Sequence, residues 1–159
     1  MKDTDFSLQG YCALNKKRFR KIVNSKQTDL FILKNKLGMV VGVTNYGCAL
    51  TAIFVPDKND KLENVVLSYD SIDDLMNAPE PFLSTTIGRY GNRIAEGRFL
   101  LNGEEYKLET NNGPNSLHGG IKGFNSVVWD VKKVTDNSIE LFYLSKDGEE
   151  GYPGNLSVW

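Results

Sequence analysis

Short apolar runs rich in Val, Ile, Phe, Tyr and Thr recur roughly every ten residues from Asp29 onward, separated by Gly, Asn, Asp and Pro. β-Branched and aromatic residues fit a pleated, half-buried surface, so this pattern predicts an all-β chain. The expected strands are Leu30–Lys34, Met39–Thr44, Ala49–Val55, Asn64–Ser68, Gly97–Leu101, Glu104–Leu108, Val127–Val134, Ile139–Leu144 and Asn155–Trp159.

One turn and one helix have specific signals. Asn102-Gly103 lies between two strand-like segments and predicts a two-residue type I′ hairpin turn, because both residues tolerate positive φ angles. Ser71 is a helix N-cap candidate followed by acidic residues, with apolar positions at 72, 75 and 76. This segment predicts a short helix near 71–77.

Residues 1–27 differ from the rest of the chain. They show little periodicity and hold five basic residues within 16–21. Such a run suits a nucleic-acid or membrane patch, but a solvated N-terminal arm without fixed structure is the preferred interpretation. The predicted organisation is therefore an arm at 1–27 and one domain at 28–159.

The bulk composition points away from large charged partners. The 159 residues contain 19 Lys plus Arg against 20 Asp plus Glu, a formal charge of −1, so no global field attracts nucleic acid or acidic membrane. Cys12 and Cys48 show no CxxC or disulfide-framework spacing and are expected to be reduced thiols. No signal-peptide h-region is present in residues 1–27, and a cytoplasmic location is expected.

Two glycine- and asparagine-rich segments, Gly88–Ala95 and Asn111–Gly120, flank the predicted hairpin. They hold Asn92, Arg93 and His118, the only histidine of the sequence. Arginine supplies a fixed fork of donors, histidine a donor or acceptor, and asparagine one of each, which suits a polyhydroxylated ligand. The two segments are expected to face one cleft.

The segments Gly88-Arg89-Tyr90-Gly91-Asn92-Arg93-Ile94, Gly113–Gly120 and Gly151–Gly154 resemble the signature segments of aldose 1-epimerases, the galactose mutarotases. The resemblance runs from about Asp29 to the last residue and covers the N-terminal half of the family's domain. It implies that 28–159 is part of a large, twisted β-sandwich, the galactose mutarotase-like supersandwich, whose concave face holds a hexose.

The resemblance also implies roles. Asn92 and Arg93 match a pair that binds sugar hydroxyls, and His118 matches a histidine that positions the substrate near the ring oxygen. The family's general acid, a second histidine, and its base, a glutamate, lie beyond Trp159, so no catalytic residue is expected in this chain. The sheet ends on Trp159 without a cap, which favours missing sequence. The chain alone is expected to be nearly inactive.

The implied activity is interconversion of the α and β anomers of a free hexose such as galactose or glucose, by a monomer or homodimer without cofactor or metal. A non-catalytic sugar-binding module is an alternative, because the binding residues are present without the acid and base. A hexose-phosphate epimerase is another, although it needs additional cationic groups.

Other side chains have less specific interpretations. Tyr90, Phe124 and Trp129 could stack on a sugar, but aromatic residues on strands usually belong to the core. Glu149 and Glu150 are adjacent and precede a Gly-Tyr-Pro-Gly turn, and they are expected to lie in a solvated loop rather than to form a carboxylate pair.

Overall fold

Short antiparallel strands dominate the protein. The computed structural model describes residues 14–159. In chain order its strands are β1 (Ile22–Val23), β2 (Lys26–Gln27), β3 (Leu30–Lys34), β4 (Val40–Thr44), β5 (Ala49–Pro56), β6 (Leu62–Asn64), β7 (Arg93–Ile94), β8 (Arg98–Leu101), β9 (Glu104–Lys107), β10 (Ser116–Leu117), β11 (Asp130–Val134), β12 (Ile139–Ser145) and β13 (Leu156–Val158). The helix α1 spans Ile72–Met76, and 3₁₀ turns occupy Lys16–Phe19, Ala95–Gly97, Phe124–Ser126 and Glu149–Gly151.

The largest sheet is a four-stranded meander in the order β3-β4-β5-β6. Strands β11, β12 and β13 form a second antiparallel sheet, and the remaining strands pair as the two-stranded ribbons β1–β2, β8–β9 and β7–β10. The β7–β10 ribbon closes around the β8–β9 hairpin, so it connects segments that are distant in sequence.

Both faces of the meander are covered by apolar side chains. Successive residues of a strand point to opposite faces, and accordingly Val40 and Val43 of β4 belong to different clusters. The first cluster includes Phe19, Leu30, Val40, Phe54, Ile72 and Leu75. The second includes Val43, Phe124, Val127, Trp129 and Leu141. The meander therefore forms the middle layer between α1 with the N-terminal segment on one side and β12 on the other.

The predicted helix and hairpin are confirmed. The Ser71 side chain accepts a hydrogen bond from the Asp74 amide at 3.1 Å and caps α1. Strands β8 and β9 pair with Leu101 opposite Glu104, and the turn residues Asn102 and Gly103 have φ angles of 53° and 84°. These positive angles are those of the expected type I′ turn.

Two predicted strands have different bounds. The prediction at Asn64–Ser68 is wrong in position, because β6 ends at Asn64. The Val65 amide still donates to the Ile53 carbonyl at 2.9 Å, but the Asn64 Oδ1 atom accepts from the amides of Ile53 at 3.0 Å and Val66 at 3.2 Å. A side chain therefore replaces the second ladder bond of this pair, and the strand ends. Residues 127–129 likewise precede β11, because their backbone bonds to the β4–β5 turn through Gly47 and Asn45.

The expected solvated arm at 1–27 is wrong for its described part, residues 14–27. Strands β1 and β2 form a hairpin here, and the side chain of Phe19 is fully buried in the first cluster. The Thr28 hydroxyl donates to the Phe19 carbonyl at 2.7 Å and ties this segment to the meander. The basic residues remain at the surface, whereas Phe19 and Val23 are buried, which the charge count alone did not reveal.

Cys48 is a free thiol whose pKa is raised by burial. Cys12 lies outside the described residues.

None of the helices in the described range 14–159 has the length and apolar character that crossing a membrane requires.

We expect Phe19→Ala to lower the free energy of unfolding by about 3–5 kcal/mol, because the substitution leaves a cavity in the first cluster. Ile22→Ala is the matched control in the same hairpin, since Ile22 is 63% exposed, and its effect should stay within about 0.5 kcal/mol. Urea denaturation measures both values. Equal small losses would show that residues 14–27 do not contribute to the core.

Candidate functional site

The β7–β10 ribbon brings the two glycine-rich segments together. Arg93 lies opposite Leu117 and Ile94 opposite Ser116. Beyond the ribbon, the His118 amide donates to the Asn92 carbonyl at 2.9 Å. Asn92, Arg93 and His118 are therefore neighbours, although the first and last are 26 residues apart in sequence.

Asn92 and His118 both have left-handed backbone conformations, with φ angles of 66° and 54°. Asparagine and histidine adopt this region more readily than most other non-glycine residues, but it still costs conformational energy. Gly119 follows His118 with a φ of 100°, and a Cβ atom at this position would lie 1.8 Å from the Gly88 carbonyl oxygen. Only glycine permits this approach of the two segments.

The His118 ring is held by two contacts. Its Nδ1 atom accepts a hydrogen bond from the Asn92 backbone N–H at 3.0 Å. The Phe82 ring packs against it with a centroid distance of 4.7 Å and an interplanar angle of 59°. Because a backbone N–H is always a donor, the neutral imidazole must carry its proton on Nε2. His118 therefore presents an N–H donor.

The Arg93 guanidinium is oriented by neighbouring amides. Its Nε–H donates to the Asn112 Oδ1 atom at 2.8 Å, and Nη1 lies 3.4 Å from the Asn92 Oδ1 atom. Within residues 14–159, the Nη2 group makes no hydrogen bond. Arg93 is exposed, so its remaining donors are available to a ligand.

An open cleft of about 530 Å³ lies beside these groups. It is lined by Arg89, Tyr90, Arg93, Ile94, Phe99 and Tyr152. Its aromatic side chains and the Arg93 guanidinium combine apolar surface with donors, as small-molecule sites commonly do. A monosaccharide has both the apolar ring faces and the hydroxyl groups that such a lining matches.

The three aromatic residues considered for stacking on a sugar differ in burial. Phe124 and Trp129 are buried in the second cluster, where their rings meet edge to face at 5.7 Å. The Trp129 Nε1–H donates to the Phe124 carbonyl at 3.1 Å, so no polar group of Trp129 is left for a ligand. Tyr90 instead is 51% exposed and lines the cleft.

The expectation of a solvated loop at Glu149 and Glu150 is wrong. Both side chains are partly buried and accept hydrogen bonds. The two Glu149 carboxylate oxygens accept from the Tyr143 hydroxyl at 2.8 Å and the Ser145 hydroxyl at 3.0 Å, and Glu150 accepts from the Ile121 amide at 2.7 Å. Burial and the bond to Glu149 raise the pKa of Tyr143, so its phenol stays protonated and donates.

Sequence reasoning missed Arg89 and Phe82. Arg89 lines the cleft and donates four hydrogen bonds to residues 145–153. Phe82 packs on the His118 ring. Arg89 belongs to the Gly88–Ala95 segment, and that was the available signal for it. Phe82 lies outside all three motif segments, so no pattern singled it out.

The described part of the chain contains no cluster of three or more His, Cys, Asp or Glu side chains arranged to hold a metal ion. The exposed side chains of Asn92 and Arg93 and the partly buried side chain of His118 offer N–H donors that suit hydroxyl groups.

The sequence model of the aldose 1-epimerase family matches residues 29–159, and the chain belongs to this family. The galactose mutarotase of Bos taurus is 47% identical over 119 residues, which make up 75% of this chain and 34% of that protein. The aldose 1-epimerase of Escherichia coli strain K12 is 35% identical over 129 residues, or 81% of this chain and 37% of that protein.

Solved structures give the same result for the fold. A structure of an aldose epimerase homologue from C. elegans matches with a TM-score of 0.77 at 29% identity, covering 82% of this chain and 40% of that one. The galactose 1-epimerase of Lactobacillus acidophilus NCFM matches with a TM-score of 0.73 at 32% identity, covering 86% and 40%. The expected all-β, mutarotase-like sandwich is confirmed. The chain matches about a third of the length of the curated relatives.

We expect neutral His118 to be the Nε2–H tautomer, because Nδ1 accepts the Asn92 amide proton. ¹⁵N NMR of the ring nitrogens measures this directly, and the signals need no assignment because the chain has one histidine. The urea-unfolded chain is the control and should show a tautomer mixture. A folded Nδ1–H tautomer would contradict the observed hydrogen bond.

Proposed function

We propose that this chain forms the sugar-positioning part of an aldose 1-epimerase that interconverts the α and β anomers of a free hexose such as galactose or glucose. The observation that carries the proposal is the assembly of Asn92, Arg93 and His118 on one ribbon beside an open cleft. Family membership supports the reaction class.

Mutarotation sets what the site must do. A base removes the proton of the anomeric hydroxyl, the bond between C1 and the ring oxygen breaks, and an acid protonates that oxygen. Rotation about the C1–C2 bond and the reverse steps then close the ring with the other anomeric configuration. The substrate must be held by hydroxyls that do not react, so that C1 stays between acid and base.

The residues of this chain fit the holding role. The Arg93 Nη2 group makes no hydrogen bond within the described residues and can donate to sugar hydroxyls, and the adjacent Asn92 amide adds a donor and an acceptor. His118 directs its Nε2–H donor to the region of the ring oxygen. The proposal assigns the two proton transfers to the family's second histidine and its glutamate, because His118 is the only histidine of these 159 residues.

A non-catalytic sugar-binding module is the second candidate. The observation that favours it is that the available donors of Arg93 and His118 suffice for binding without any proton transfer. Catalysis of mutarotation distinguishes an aldose 1-epimerase from a sugar-binding module.

We expect the 159-residue chain to leave the mutarotation of fresh α-D-galactose at the buffer rate, because losing a general acid or base costs about 10²–10⁴-fold. The chain extended through the rest of the family's domain should accelerate it strongly, with Arg93→Met lowering kcat/KM about tenfold or more. Polarimetry measures these rates. The control is Arg98→Met, because Arg98 is exposed, pairs with Glu96 and is not among the residues that line the cleft.

Two results would change the proposal. If the short chain alone is as fast as the extended one, and His118→Ala abolishes that rate, His118 transfers protons itself. If the extended chain binds D-galactose without accelerating its mutarotation, the protein is a binding module. Selective turnover of a hexose phosphate would instead favour the sugar-phosphate epimerase.

A further inference from the structure

Arg89 holds both ends of one loop. Its Nε–H donates to the Ser145 hydroxyl at 2.8 Å, and Nη2 donates to the carbonyls of Ser145 at 2.9 Å and Lys146 at 2.8 Å. Nη1 reaches the Pro153 carbonyl at 2.9 Å. We call residues 146–154 the clasp loop. Four hydrogen bonds from one guanidinium therefore join the two ends of this loop.

The clasp loop has an internal framework. The Gly148 amide donates to the Tyr152 carbonyl at 2.9 Å, closing the loop around the Glu149–Gly151 turn. Ser145 is fully buried, and its hydroxyl accepts from Arg89 while donating to Glu149 at 3.0 Å. The Arg89 cation and the Glu149 anion are thus connected through one hydroxyl, which favours a fixed arrangement.

The clasp loop also contacts the segment that carries His118. The Glu150 carboxylate accepts from the Ile121 amide at 2.7 Å, and the Glu150 carbonyl accepts from the Glu109 amide at 3.1 Å. A Cβ atom on Gly120 would lie 2.4 Å from the Glu150 carboxylate, so the loop and the 117–121 segment are in close contact. Displacing the clasp loop would therefore move the His118 segment.

Arg89 also supports the cleft itself. Its guanidinium lies over the Tyr152 ring at 5.8 Å, and this ring packs on Phe99 at 6.3 Å. Tyr152 and Phe99 both line the cleft. Arg89 is three residues before Asn92, so it connects the cleft lining, the clasp loop and the ligand-facing turn.

We propose that Arg89 is a positioning residue: it fixes Asn92 and Arg93 relative to His118 by clamping the clasp loop between the two segments. The inference rests on the proposed sugar site. Arg89 does not bind the sugar in this role, because four of its five N–H donors are used within the protein.

Lysine cannot replace Arg89 in this role. A single ammonium group has no planar fork, and it cannot reach Ser145, Lys146 and Pro153 together with aligned hydrogen bonds. Arg89→Lys keeps the charge and loses the geometry. Arg89→Ala loses both and leaves space that a guanidinium ion can enter.

The test uses the 159-residue chain with Arg89→Lys and Arg89→Ala, and with Arg98→Ala as the matched arginine control. Amide hydrogen exchange reports on the clasp loop, the Asn92 amide and the meander, and an NMR titration gives the Kd for D-galactose. Galactitol, which lacks the ring oxygen and the anomeric centre, is the control ligand.

For Arg89→Lys we expect exchange at Gly148, Ile121 and Asn92 to accelerate about tenfold, and the D-galactose Kd to rise about tenfold, since several charge-assisted bonds are lost. Exchange in strands β4 and β5 should not change. Millimolar guanidinium chloride should restore the amide protection and the D-galactose affinity of Arg89→Ala, whereas ammonium chloride at equal ionic strength should not. Arg98→Ala should match the wild type.

An unchanged Kd and unchanged Asn92 exchange in Arg89→Lys would overturn the inference, as would equal loss of protection throughout the meander. If Arg89→Ala does not fold, the amide exchange and the D-galactose Kd of Arg89→Lys alone decide whether the inference holds. If the wild type does not bind D-galactose, the proposed function fails. The exchange at Asn92 and the His118 ring signals then still decide whether Arg89 holds the two segments together.

Discussion

The backbone contact between Gly88 and Gly119 is the constraint on which the site depends. A Cβ atom on residue 119 would lie 1.8 Å from the Gly88 oxygen and cannot be accommodated. The two segments can therefore approach this closely only with glycine at position 119. This contact permits the β7–β10 ribbon, and the ribbon places Asn92 beside His118. Both of these residues have left-handed conformations, and the two hydrogen bonds between them offset the conformational cost.

The meander and the site are held together by different physical means. The meander is fixed by burial on both faces, which specifies strand register strongly because a one-residue slip would exchange the two clusters. The site has few buried apolar groups, and its geometry comes from hydrogen bonds to backbone carbonyls, a serine and two glutamates. Hydrogen bonds linked in this way rigidify the side chains that they connect.

This difference explains what sequence analysis could predict. The β3–β5 strands, the Ser71-capped helix and the Asn102-Gly103 turn each carry a local signal, and they were predicted closely. The β7–β10 ribbon has two residues per strand and no periodicity, and Arg89 acts on carbonyls 56 to 64 residues away. Every residue has a backbone carbonyl, so the amino-acid sequence does not indicate which carbonyls will accept these hydrogen bonds. Phe19 was predicted to lie in a solvated arm because the five basic residues around it are the stronger signal in the sequence.

The long separations in the site also bear on the order of folding. Neighbouring strands of the meander pair through short turns, so their contacts form with little loss of chain entropy. The bond from His118 to Asn92 spans 26 residues and that from Arg89 to Pro153 spans 64. Closing such loops is favourable only after the sheets exist to hold their ends. We therefore expect the groups of the site to be organised after the meander, so that a nascent chain gains its stable layers before its site.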